Sequence, residues 1–252
     1  MTATSRPVVT QPLDVIHWTQ CKPTLKVSRT PTGALNLNVD GRHVLGPLQG
    51  FGQLWQKTFQ IQIKSPRLTA VEVMKVWKEH FATFWPTWDH FYASATGIAP
   101  DEVVLINMVI PGDLPIGLPV STGVVVVQSN ENSFTLMTPQ GHMFAGWITF
   151  STYQEKGGVL AQVQVVLRAS DPLYELGFRL GASKAEDIFW QHTLGALAAH
   201  FGVHALVETQ IVCIDPKVQW SQFWNIWYNA AIRTLLYHVV TFVPRMRKRV
   251  HA

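Results

Sequence analysis

Cysteine is almost absent: Cys21 and Cys213 are the only two in 252 residues. Without a CxxC spacing they form neither a zinc site nor a disulfide framework; one bridge is possible, but two buried free thiols in a reducing cytosol are expected. Charge is scarce too. Asp, Glu, Lys and Arg make up 14% of the chain, and four cations, Arg245, Arg247, Lys248 and Arg249, crowd into its last eight residues. Without them the formal charge is about zero, which argues against a broad nucleic-acid surface built on many phosphate contacts. Met1–Thr10 lacks the apolar core of a signal peptide, so a cytoplasmic protein is expected, with peripheral membrane contact left open. Also missing are G-x-S-x-G, H-E-x-x-H, a Walker loop and the Rossmann glycine fingerprint. Gly46, Gly50 and Gly52 fit no phosphate-loop spacing. The sequence therefore points to no metal, no cofactor and no nucleic acid.

What is plentiful is apolar. Hydrophobic residues reach 47%, with 10 tryptophans. Large aromatics in such excess fill a core, line an apolar cavity or sit at a membrane interface. A chain of this length buries a substantial core.

The most regular stretch runs from Val120 to Arg168. It reads as four strands, Val120–Gln128, Ser133–Thr138, His142–Thr152 and Val159–Leu167. Turn residues join them: Asn130-Glu131-Asn132, Pro139-Gln140-Gly141 and Glu155-Lys156-Gly157-Gly158. Connections this short allow only an antiparallel meander. Val103–Ile110 is a further apolar strand, followed by a loop through Pro119. Upstream, Trp55, Phe59, Ile61 and Ile63 alternate with Gln56, Thr58, Gln60 and Gln62, as a half-buried strand requires.

Thr69 and Glu72 spell a capping box ahead of a helix that Pro86 ends, and a second short helix is expected through Trp88, Phe91 and Tyr92. Asp171-Pro172 starts another helix, Gly181 breaks it, and Ser183-x-x-Glu186 reads as a capping box for a long covering helix that Gly202 ends. A strand is expected in Ala205–Ile214. Trp220–Val243 reads as a last amphipathic helix, stopped by Pro244, with Gln222, Asn225, Asn229 and Arg233 on its polar face. The first 12 residues read as a loose arm. Val15–Trp18, Thr24–Ser28 and Ala34–Val39 are candidate strands of a small hairpin.

One strand, two helices, a meander and a long helix across it: this order resembles the helix-grip fold of the SRPBCC superfamily, which includes START lipid-transfer domains and polyketide cyclases. The resemblance spans roughly Gly50 to Gly202 and rests on that order and on Trp77–Trp88, Gly141–Trp147 and Asp171–Phe201. It implies an α+β fold, a curved antiparallel sheet wrapped around a long C-terminal domain helix, here with an extra C-terminal helix. The chain then divides into an arm and hairpin (1–49), a helix-grip ligand-binding domain (50–202), and an extension with an amphipathic helix and basic tail (203–252). The resemblance also implies a deep apolar cavity for a lipid, polyketide or similar molecule.

Trp85, Trp88, Phe91, Tyr92, Phe144, Trp147 and Trp190 are candidates to line that cavity, if they do not simply pack as core. His142 and Arg168 are the candidate catalytic groups. His142, on a strand face with Phe144, Gly146 and Ile148, would act as general base or bond a ligand carbonyl. Gln162, Gln164 and Arg168 alternate on either a solvent face or a cavity face. Three readings stay open: a carrier of a hydrophobic molecule, a cyclase/aromatase-like enzyme, or a scaffold using its last helix. Trp220, Trp224, Trp227 and the four cations of the tail would meet a membrane surface, a partner or a second copy in a homodimer.

Overall fold

In a computed structural model, the structure describes residues 24–92, 97–110 and 118–250, without the side chains of residues 110 and 242–250. The loose arm, the strand at Val15–Trp18, Cys21 and the loop at 111–117 lie outside the described residues.

The chain is α+β, and its strands are β1 (Val44–Leu45), β2 (Leu54–Ile63), β3 (His90–Tyr92), β4 (Val103–Ile110), β5 (Leu118–Asn130), β6 (Ser133–Pro139), β7 (Phe144–Glu155), β8 (Gly158–Ala169) and β9 (Glu208–Asp215). They form one antiparallel sheet in the order β3-β4-β5-β6-β7-β8-β2-β9, with β1 beside β6. The sheet is curved and does not close. The meander follows the turn chemistry: Asn130 Oδ1, for instance, accepts from the backbone N–H groups of Asn132 and Ser133 and fixes the first hairpin. β9 pairs along β2, so part of the chain beyond Gly202 belongs to the same sheet.

The helices are α1 (Ala70–Glu79), α2 (Pro172–Gly177), α3 (Ser183–His200) and α4 (Ala230–Val250). The Thr69–Glu72 capping box forms at α1, and Asp171 caps α2 through the N–H groups of Leu173 and Tyr174. α3 crosses β2 and β8 on the concave face, which makes the helix-grip. The space beneath it is filled unevenly. Toward α1, Phe81, Phe134 and Phe150 close up edge to face and ring on ring, Phe134 and Phe150 at 4.5 Å, and Trp77 meets Phe150 at 5.4 Å. Each such buried aromatic is worth about 2–3 kcal/mol of transfer free energy. Toward the other end of the sheet the space stays hollow.

Several elements differ from expectation. Residues 24–39 make no strands. Their turns and the buried Asn38 side chain, which donates to Ser121 O, hold them against the outer face of β4 and β5. Leu25 and Val39 cover Leu105 and Val125 there. Phe91 and Tyr92 lie on β3 rather than on a helix, because the 3-10 turn Phe81–Phe84 and Pro86 deliver the chain in extended form to the edge of β4. The predicted last helix is two pieces. Trp220–Tyr228 is a 3-10 helix and α4 starts afresh at Ala230. The break comes from two asparagines expected on the wet face. Asn225 donates to Gln49 O and Ser170 O, and Asn229 donates to Asp171 while its Oδ1 accepts from Ile232 N–H, the role of an N-cap. Both are buried. α4 continues through Pro244 to Val250 instead of stopping there.

Gly141 permits the docking of these pieces. Its φ is +92°, and a Cβ there would lie 2.1 Å from Tyr228 O.

Candidate ligand cavity

The hollow has a volume of about 870 Å³, within the range of small-molecule sites. Its walls come from the concave face of β4–β8, the inner side of α2 and α3, and the first turns of α4. Val124, Leu136, Ile148, Val165 and Leu167 form the sheet wall, and Phe178, Ala185 and Phe189 the helical one. Ala231, Ile232 and Leu235 of α4 complete it, so the binding space is not confined to residues 50–202. Between α2 and α3 the chain makes one wide turn, Phe178–Ala182, with Gly181 at φ +133°. That kink lies on the cavity wall, where Phe178, Gly181 and Ala182 all line the hollow. Trp88, Leu173, Ile188, Ile232 and Leu235 line the cavity yet are well exposed, which makes them its rim.

Of the aromatics named from the sequence, Trp85, Trp88, Phe144, Trp147 and Trp190 contribute to the lining. Phe91 and Tyr92 do not. Strand alternation turns Phe91 into the core, 4.9 Å from Phe81 and 5.0 Å from Trp85, and Tyr92 to the outer face, where its hydroxyl donates to Gly33 O.

His142 reaches the wall, though not from a strand: it lies in the turn between β6 and β7. Its Nδ1 lies 3.0 Å from Phe144 N and 3.2 Å from Phe144 O, so the Phe144 backbone engages that nitrogen. Burial pushes its pKa down to about 4, so the ring stays neutral near pH 7. With Nδ1 engaged by the Phe144 backbone, Nε2 is the ring nitrogen left for a ligand, and the lowered pKa makes the ring a weak general base.

Arg168 is not on the wall. It points from β8 to the opposite face, where it is 1% exposed and donates to Gly52 O (2.5 Å), Lys217 O (2.8 Å) and Asp215 Oδ2 (2.5 Å). Its neighbour Leu167 faces the cavity instead, as alternation requires. The candidate pair His142–Arg168 is therefore split by the sheet.

Polar groups that the sequence did not single out as site residues stand closer. The Asp89 carboxyl lines the cavity and accepts from Val109 N–H; burial raises its pKa to about 6. Tyr174 lines the α2 side, its oxygen accepting from Ala231 N–H, and burial raises its pKa. Glu186 lines the α3 side and, with Asp187, holds Lys57 of β2. Here the capping box expected at Ser183 does not form. Ser183 is already helical, and its hydroxyl accepts from Lys57 Nζ at 3.0 Å instead. Burial raises the Glu186 pKa against the pull of the ammonium. Lys57 had a visible signal: it shares strand parity with Trp55, Phe59, Ile61 and Ile63, a lone cation on an apolar face.

Trp220, Trp224 and Trp227 are all largely exposed on the 3-10 helix, Trp220 with one edge against Phe51 at 5.3 Å. Arg245, Arg247, Lys248 and Arg249 lie along the last turns of α4. Cys213 is free and half-buried on β9, not fully enclosed as expected. Among the described residues, no helix is long and apolar enough to cross a membrane.

Fold and site together define a helix-grip protein with an apolar cavity. The chain belongs to the family described as "Domain of unknown function (DUF1990)", whose model matches residues 68–194, half of its length. No curated protein matches it. Among solved structures it is similar to a START superfamily protein from Mycobacterium smegmatis, 17% identical over 59% of this chain and 97% of that one, with a TM-score of 0.40. It is also similar to the di-domain ARO/CYC StfQ from the steffimycin biosynthetic pathway, 11% identical over 60% of this chain and 53% of that one, TM-score 0.44. A third likeness is to Ara h 8.0201, 13% identical over 57% and 97%, TM-score 0.37.

Proposed function

We propose that the protein binds a hydrophobic small molecule, a lipid, polyketide or similar compound, in this cavity. The observation that carries the reading is a hollow of about 870 Å³ walled almost wholly by apolar side chains. Apolar wall left against water is disfavoured by about 25 cal/mol per Å², and protein interiors otherwise pack to crystal density. A ligand relieves that cost. The neutral His142 ring on the wall offers a hydrogen-bonding group to a polar atom of the ligand. Uptake from a lipid surface fits as well, because the rim itself is apolar.

Native mass spectrometry of gently purified protein, with titration of a fluorescent hydrophobe, tests the reading. Co-purifying mass or saturable uptake is expected, and Val165→Phe, which fills the hollow, weakens uptake about tenfold or more. A clean apo mass, no uptake, and no effect of the filling variant overturn it.

A second reading, an enzyme of the cyclase/aromatase type, is favoured by Asp89. A wall carboxyl titrating at about 6 is poised to exchange protons near neutral pH. On that reading Asp89→Asn abolishes turnover of a poly-β-ketone probe while its binding persists; unchanged turnover excludes it.

A further inference from the structure

The charges of the chain are sorted. Residues 1–215 hold 14 Lys and Arg against 16 Asp and Glu, whereas residues 216–252 hold six Lys and Arg and no acidic residue. The cationic segment folds onto one end of the sheet. Gln219 N–H donates to Phe51 O, Ala230 N–H to Gly141 O, and Thr234 Oγ1 accepts from Ser121 N–H. Those contacts fall where β2, β5 and β7 begin and β6 and β8 end, the end at which the cavity opens.

The same segment carries apolar surface that the protein leaves uncovered. Ala230, Ala231 and Thr234 pack on β5, but beyond them Leu235, Leu236, Tyr237, Val239 and Val240 are all exposed. These five positions cover about 200° of the helix circumference, the side turned away from β5. An apolar helix face of that width turned to water is unsupported. Beside it Trp220 and Trp227 are 70% exposed and Trp224 66%. Tryptophan in this amphipathic setting belongs at the level of lipid headgroups.

We propose that this end of the molecule docks on an anionic lipid bilayer, with α4 and the Trp220–Tyr228 helix in the interface and the cavity rim turned toward the lipid. Because no described helix is long and apolar enough to cross, the contact is interfacial. A second copy fits less well. A twofold contact through this segment would bring together two copies of a stretch that holds six cations and no carboxylate. Anionic headgroups answer them all. The use of the rim for loading rests on the ligand reading; the docking itself does not.

The test is co-sedimentation of the full chain with vesicles of phosphatidylcholine alone, and with about one-third phosphatidylglycerol. Binding to the anionic vesicles is expected to be stronger by about tenfold or more and to fall as salt rises, with a blue shift of tryptophan emission. The double variant Leu236→Ser/Val240→Ser lies off the cavity wall. It is expected to weaken vesicle binding about tenfold while leaving uptake of a fluorescent hydrophobe from water unchanged. Absent binding, or equal binding to both vesicles, overturns the proposal. A solution dimer that the double variant dissociates, without vesicle binding, gives the face to a second copy and overturns it too. Vesicle binding without hydrophobe uptake supports the docking and sinks only the cavity reading.

Discussion

The Lys57 ammonium lies 2.8 Å from the Glu186 carboxylate, and the lysine side chain is wholly enclosed. It also lies 2.7 Å from Asp187 and 4.9 Å from the centre of the Phe178 ring. One cation thus pins the first turn of α3 to the sheet, next to the kink on the cavity wall.

Removing that cation strands two carboxylates in a water-poor site. Lys57→Met is expected to cost roughly 3–5 kcal/mol, the usual penalty for breaking a buried pair from one side. The triple variant Lys57→Met/Glu186→Gln/Asp187→Asn should recover most of it, since no charge is then left unpaired. Urea unfolding of the three proteins measures both. An undiminished midpoint for Lys57→Met would falsify the clamp.

The His142 ring is buried neutral, with a folded pKa of about 4 against 6.5 for the ordinary group. A depressed base stabilises the fold above its unfolded pKa, and that contribution drains away as pH falls from 6.5 toward 4. The full loss is on the order of 3 kcal/mol. His142→Asn keeps an acceptor for Phe144 N–H and removes the titration, so its stability should fall less across this window. Chemical unfolding at several pH values in the window checks it; parallel curves for the two proteins would contradict the assignment.

Asp89 runs the other way. Its folded pKa of about 6 stands above the ordinary 3.8, so the folded state favours the protonated form. The stabilisation is complete below 3.8 and is lost as pH rises through 6. Asp89→Asn retains an oxygen for Val109 N–H and escapes the loss. Its Tm should match that of the parent protein in acid and exceed it increasingly up to about pH 7, then run parallel. A Tm gain that did not change with pH would trace to packing, not to the carboxyl.

Local pattern carried the sheet further than the site. Val103–Ile110, the four meander strands and the end of α3 at Gly202 are written in alternation and turn residues that act over a few positions. The hollow's aromatics were mostly legible, but period and composition do not say that Phe91 and Tyr92 sit on a strand. The polar residues were the least legible. Lys57 meets partners about 130 positions away, and Asn225 reaches back to Gln49. What a buried polar group touches is decided by tertiary closure, so a capping-box spelling at Ser183 could serve as an ammonium cradle instead. Arg168 looked like a solvent or cavity residue for the same reason.

Arg168 supplies the sharpest separation of structure from chemistry. Its guanidinium ties Gly52 O of the lead into β2 to Asp215 at the end of β9 and Lys217 O just beyond it, on the face away from the cavity. Arg168→Ala leaves buried carbonyls without donors, at about 1–3 kcal/mol for each group stranded. Arg168→Lys keeps the charge but not the fork that reaches three acceptors, so it should recover only part of the loss. Neither variant touches the cavity wall. Hydrophobe affinity, measured at a temperature where the variant is still folded, is expected to stay within about twofold of the parent, while the unfolding midpoint drops clearly. A loss of affinity at unchanged stability would return Arg168 to the binding site and overturn its assignment as a strut.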